Sequence, residues 1–79
     1  MKKVFYIVEN RKTKTNTFIS DTRYSKYADA KEYFNRLVDD KKHYKGETIL
    51  LLKQTYLIND EDENDIELLE EDFIEEVEF

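Results

Sequence analysis

Residues 59–79 read NDEDENDIELLEEDFIEEVEF, and the way this stretch folds decides the architecture. It holds twelve of the chain's nineteen carboxylates and no Lys or Arg, with Ile66, Leu68, Leu69, Phe73, Ile74, Val77 and Phe79 threaded between them. Counted from about Asp65 at 100° per residue, Ile66, Leu69, Phe73, Ile74 and Val77 fall within about 140° of arc, the stripe of an amphipathic helix. Leu68 and Phe79 fall outside that arc, and as a strand the same residues do not alternate. The pattern therefore predicts an acidic, helical C-terminal segment. The competing reading is a strand over residues 66–70, hairpinned back onto the strand before it.

Such a helix would be poorly stable alone. Glu67–Glu71, Glu71–Glu75 and Asp72–Glu76 are like-charge pairs at i, i+4, each unfavourable by about 0.2–0.5 kcal/mol. Glu75, Glu76 and Glu78 crowd the C-terminal end, where the helix dipole favours cations. Something positive has to hold the segment, either the rest of the chain or an external partner. Residues 1–59 carry thirteen Lys and Arg against seven acids, a balance of +6, whereas residues 60–79 stand at −12. The chain is thus electrically two-part: a basic body and an acidic tail.

Working upstream, KVFYIVE (Lys3–Glu9) and TFISDTRY (Thr17–Tyr24) read as strands of a hairpin with a loose, basic tip at Arg11, Lys12 and Lys14. Ser25–Lys45 predicts a helix. Tyr27, Ala30, Phe34, Leu37, Val38 and Lys41 recur at helical spacing, with Ser25 as N-cap and Gly46 at the C′ position. Lys41, Lys42, His43 and Lys45 would then lie in its last turn. Thr48–Ile58 (TILLLKQTYLI) is a strand, apolar on both faces at its start. The expected fold is α+β: a three-stranded antiparallel sheet in the order 2-1-3, one helix packed on it, and the acidic helical tail. One domain spans residues 1–79, with a ββαβ body over 1–59 and the tail over 60–79. One sheet face is left needing a cover.

Composition narrows the function. No Cys is present, which excludes disulfides and thiolate metal sites and points to a reducing, cytoplasmic setting. The apolar runs Val4–Val8 and Ile49–Leu52 are too short for a signal peptide or a membrane span. A single Gly excludes glycine-rich phosphate loops, and the single His, His43, stands among lysines that would not help it act as a general base. No enzyme and no cofactor is expected. Asp60, Asp62, Asn64 and Glu71 align with side-chain positions of a calcium loop, but the turn position that needs Gly is Asp65, so no specific metal site is expected.

What remains is binding. Asp60, Glu61, Asp62, Glu63, Glu67, Glu70, Glu71, Asp72, Glu75 and Glu76 form a collective negative field suited to a basic surface on a partner protein, including a nucleic-acid-binding site. As a helix the tail would carry one charge per roughly 2.5 Å, against one per about 1.7 Å in duplex DNA. Small acidic domains of this composition serve phages and mobile elements as inhibitors of host enzymes, an analogy of composition alone. Two alternatives stand beside it. One is a nucleic-acid-binding module built on the basic, aromatic hairpin with the tail as an autoinhibitory segment. The other is a structural domain that self-associates as a homodimer, the basic body of one copy meeting the acidic tail of the next.

Overall fold

The structure is a computed structural model that describes residues 1–40 and 42–79. Strand β1 (Lys2–Lys12) and strand β2 (Thr17–Tyr24) form the hairpin, helix α1 (Tyr27–Asp39) follows, and strands β3 (Glu47–Ile58) and β4 (Ile66–Glu78) complete the chain. All four strands belong to one antiparallel sheet in the order β2-β1-β3-β4. Antiparallel pairing of β1 with both β2 and β3 places β1 between two parallel neighbours, joined by the crossover through α1.

The expectation of a three-stranded sheet with a helical tail is overturned: the tail is the fourth strand, paired with β3 along its whole length. Its apolar spacing misleads because the register slips twice. Leu51 pairs with Glu75 and Leu52 with Phe73, so Ile74 has no partner; Thr55 pairs with Glu70 and Tyr56 with Leu68, so Leu69 has none. Each β-bulge inserts one residue into a period of two. Two bulges within thirteen residues stretch the apolar repeat until it resembles 3.6. The strand also removes the electrostatic objection to the helix. Neighbours on one face of a strand lie about 6.6 Å apart, and at the sheet edge most β4 acids face uncharged residues of β3, such as Thr55, Gln54 and Leu50.

The helix is shorter than its periodicity suggests. Lys26, not Ser25, holds the N-cap position, without a side-chain cap bond. The helix ends at Asp39, with the Asp40 N–H donating to the Leu37 carbonyl. Lys42, His43 and Lys45 therefore lie in the following turn and not in the last helical turn; Lys41 lies outside the described residues. Leu37 is the last side chain of the helix buried against the sheet, and Asp39 and Asp40 oppose the dipole at its C-terminus, so nothing favours another turn. Gly46 is not the helix C′ residue. With φ 84° it turns the chain into β3, and its carbonyl accepts from Thr13 while its N–H donates to Phe79.

Helix α1 covers one face of the sheet. Ala30, Phe34 and Leu37 pack on Val8, Ile49 and Leu51, flanked by Tyr6, Tyr24, Tyr44, Val77 and Phe79. Burying Phe34 alone stabilises the fold by about 2–3 kcal/mol. The opposite face carries a second, smaller cluster of Ile7, Leu50 and Leu52 with Phe5 against it, and among the described residues no further element lies over that cluster. Among the described residues, no helix is long and apolar enough to cross a membrane.

Candidate partner-binding surface: the acidic edge

β4 is an edge strand, and its side chains alternate between the two faces of the sheet. Pairing with Leu57, Thr55, Lys53 and Leu51 turns Glu67, Glu70, Asp72 and Glu75 toward the helix side. Pairing with Gln54 and Leu50 turns Glu71 and Glu76 to the open side. Asp60, Glu61, Asp62 and Glu63 lie in the exposed β3–β4 connection. The ten acids read from the sequence are thus brought to one edge and one end of the sheet, but as three groups and not one continuous stripe.

Each group has its own local chemistry. In the connection, the Glu61 and Asn64 amides donate to the side-chain oxygens of Asn59 and Asp62, and the Asp65 amide donates to the Asp62 carbonyl. These turns bend the chain without Gly. Asp60 lies 3.5 Å from the N-terminal ammonium of Met1. On the helix side Lys31 of α1 reaches Glu75, with its ammonium also 5.2 Å from the Phe34 ring centre. On the open side Tyr56 donates to Gln54 (2.6 Å), which donates to Glu71 (2.7 Å). Among the described residues, Asp60 and Glu75 are the only tail acids with an ion-pair partner.

The calcium-loop alignment is not realised as a cage. Glu71 sits on β4, bonded to Gln54, remote from the turn that holds Asp60 and Asp62. Among the described residues, no three acidic or imidazole side chains converge as metal ligands. His43 stands in the exposed turn with its ring 4.7 Å from that of Tyr44.

The open face brings Phe5, Arg11 and Arg23 of the basic, aromatic hairpin together with Leu50, Tyr56 and Phe73, which the sequence reading assigned to no site. Arg23 of β2 lies over two aromatic rings, 5.0 Å from the centre of Phe5 and 5.7 Å from that of Tyr56. Arg11 pairs with Glu9 at 2.7 Å, which raises the Arg11 pKa further, first through that hydrogen bond and then through the charge of Glu9. Beside this pair a cleft of about 450 Å³ opens between β1 and β4, with Leu50, Glu71, Phe73 and Glu76 along it. The one available signal was the apolar run Ile49–Leu52, which shows that both sheet faces carry apolar side chains.

No known protein family, curated protein or solved structure matches this chain.

Proposed function

We propose that the chain is a non-catalytic binding protein whose β3–β4 connection and acidic β4 edge engage a basic surface on a partner protein. One observation carries the reading: a thirteen-residue edge strand bears seven carboxylates, and among the described residues only one of them, Glu75, has an ion-pair partner. An edge strand exposes a row of unpaired backbone groups, and charge on it repels casual strand addition. A partner that docks along this edge must therefore bring cations, and the same charges that attract it exclude neutral or acidic strands.

The strand geometry revises the likeness to nucleic acid. At about 3.3 Å per residue, the thirteen residues of β4 extend roughly 40 Å, so its seven carboxylates stand about 6 Å apart. That is sparser than the one charge per about 1.7 Å of duplex DNA. The edge fits a basic protein groove, a nucleic-acid-binding site among them, without reproducing a duplex.

The test is affinity capture from a bacterial lysate. The unaltered protein is compared with a variant carrying Asp60→Asn, Glu61→Gln, Asp62→Asn, Glu67→Gln, Glu70→Gln and Asp72→Asn, all exposed positions. The expected result is a basic protein retained by the former, released at high salt or by added DNA, and absent with the variant. Identical capture by both, or none by either, overturns the reading.

A further inference from the structure

The face of the sheet opposite α1 is too apolar to be an ordinary solvated face. Around Ile7, Leu50 and Leu52 stand large apolar side chains left open to solvent: Phe73 is 69% exposed, Ile66 54% and Phe18 50%. We propose that this open face binds the open face of a second copy of the chain, with the two-fold axis parallel to the strands. This inference concerns a different surface from the acidic edge, and either can fail without the other.

Area and charge both select that occupant. Three of the strands pair over about eleven residues, so with spacings of about 4.8 Å across and 3.3 Å along, the face has a planar footprint of roughly 600 Å². Side-chain relief brings this near the 800 Å² or so that each partner buries in a standard stable interface. The molecule is a slab 17 Å thin in its shortest dimension, and stacking two open faces closes a helix–sheet–sheet–helix sandwich around a central core.

A self-complementary interface needs both signs of charge on one patch, placed so that the symmetry brings opposites together. Lys3, Arg11 and Arg23 lie toward the β2 side of this face with Glu9 and Asp21, which leaves that side net positive, and Glu71, Glu76 and Glu78 lie toward the β4 side. A two-fold axis across the strands would lay β4 on β4, acid against acid. An axis along the strands lays β4 on β2 instead. Arg23 occupies the row of Ile7, Leu52 and Phe73, between the rows of Glu71 and Glu76. Aligned sheets cross at about 30°, which displaces the flanking strands by a few ångströms, so Glu71 or Glu76 of the second copy comes within reach of Arg23. Edge-to-edge pairing through β4 is disfavoured, because it sets like charges opposite one another along a bulged strand.

Sedimentation equilibrium and light scattering up to about 300 µM test the proposal, because self-association follows concentration by mass action. The expected mass is twice the 9.6 kDa of the chain. Phe73→Asp, at an exposed position, keeps the circular dichroism of the fold and weakens the dimer at least about tenfold. Arg23→Glu weakens it as well, and combining it with Glu71→Arg and Glu76→Arg restores association. A monomer at every concentration overturns the proposal, including one that instead holds an unrelated protein on this face. A dimer that is indifferent to Phe73→Asp overturns it too, since association then uses another surface.

Discussion

The Lys31 ammonium of α1 reaches the Glu75 carboxylate of β4, so an ion pair ties the acidic edge strand to the helix across the sheet's covered face. It joins the two electrically opposed parts of the chain. Both side chains remain partly solvated, so the pair contributes at most about 1 kcal/mol. In a double-mutant cycle of Lys31→Met and Glu75→Gln, read by chemical denaturation, the coupling should be about 0.3–1 kcal/mol and should shrink in high salt. A coupling of zero at low salt would show that the contact is not maintained in solution.

Phe34 is the largest fully buried side chain and stands at the centre of the helix–sheet core. Phe34→Ala should destabilise by about 3–5 kcal/mol, which for a chain of this size removes much of the folding free energy. Leu37→Ala, at the helix end, should cost about 2–5 kcal/mol. Near-unchanged thermal melting of either variant would contradict the packing of α1 on β1 and β3.

Val77 tests whether the tail is part of the fold. It pairs with Ile49 and packs on the main core, so Val77→Ser should lower stability by about 1–3 kcal/mol. Glu67→Gln, exposed on the same strand, should change it by less than about 0.5 kcal/mol. Equal melting of the two variants would mean that β4 does not pack.

Deleting Leu69 tests the bulges. Removing the inserted residue makes Leu68 and Glu70 consecutive opposite Tyr56 and Thr55, so Ile66, Glu67 and Leu68 keep their partners and their faces. The expected outcome is retained protection of the β3–β4 amides at both the Ile58–Ile66 and the Ile49–Val77 ends in hydrogen exchange. Protection lost at the Ile58–Ile66 end would show that Leu69 is not an inserted residue.

Tyr24 and Tyr44 flank the core, and burial pushes both phenols above the ordinary tyrosine range, with the neighbouring Tyr33 adding to the effect. A raised phenol pKa means that the fold favours the neutral form. The stability each contributes is therefore complete below the unfolded value of about 10 and is lost as pH rises through the folded value. Spectrophotometric titration, compared with Tyr24→Phe and Tyr44→Phe, should show Tyr24 and Tyr44 ionising late, together with unfolding in strong base. Ionisation of both in the ordinary tyrosine range in the folded protein would contradict the burial. Tyr24→Phe and Tyr44→Phe should each weaken the alkaline loss.

Helix α1 is legible in the sequence because its apolar side chains repeat at one period, and the hairpin and β3 because their β-branched, aromatic and aliphatic runs are bounded by polar turns. The helix ends are less legible. Lys42, His43 and Lys45 suit a last helical turn, but continuing past Asp39 would bury nothing more, whereas the turn places Tyr44 on the core and Gly46 where the chain enters β3. The ten acids were legible as one negative field. Their division among a turn, the helix side and the open side was not, because it depends on register.

By itself the sequence determined the charge division, the absence of thiol chemistry, the helix's apolar stripe and a central strand apolar on both faces. Those are properties of composition and local spacing. Only the tertiary structure decided that residues 66–78 form a strand. The choice rested on the free edge of β3, which offers a full ladder of hydrogen bonds and a place beside Ile49 for Val77, and on two bulges that let an irregular apolar pattern follow that edge. Local periodicity cannot register either, because both belong to a partner strand that begins about twenty residues earlier in the chain.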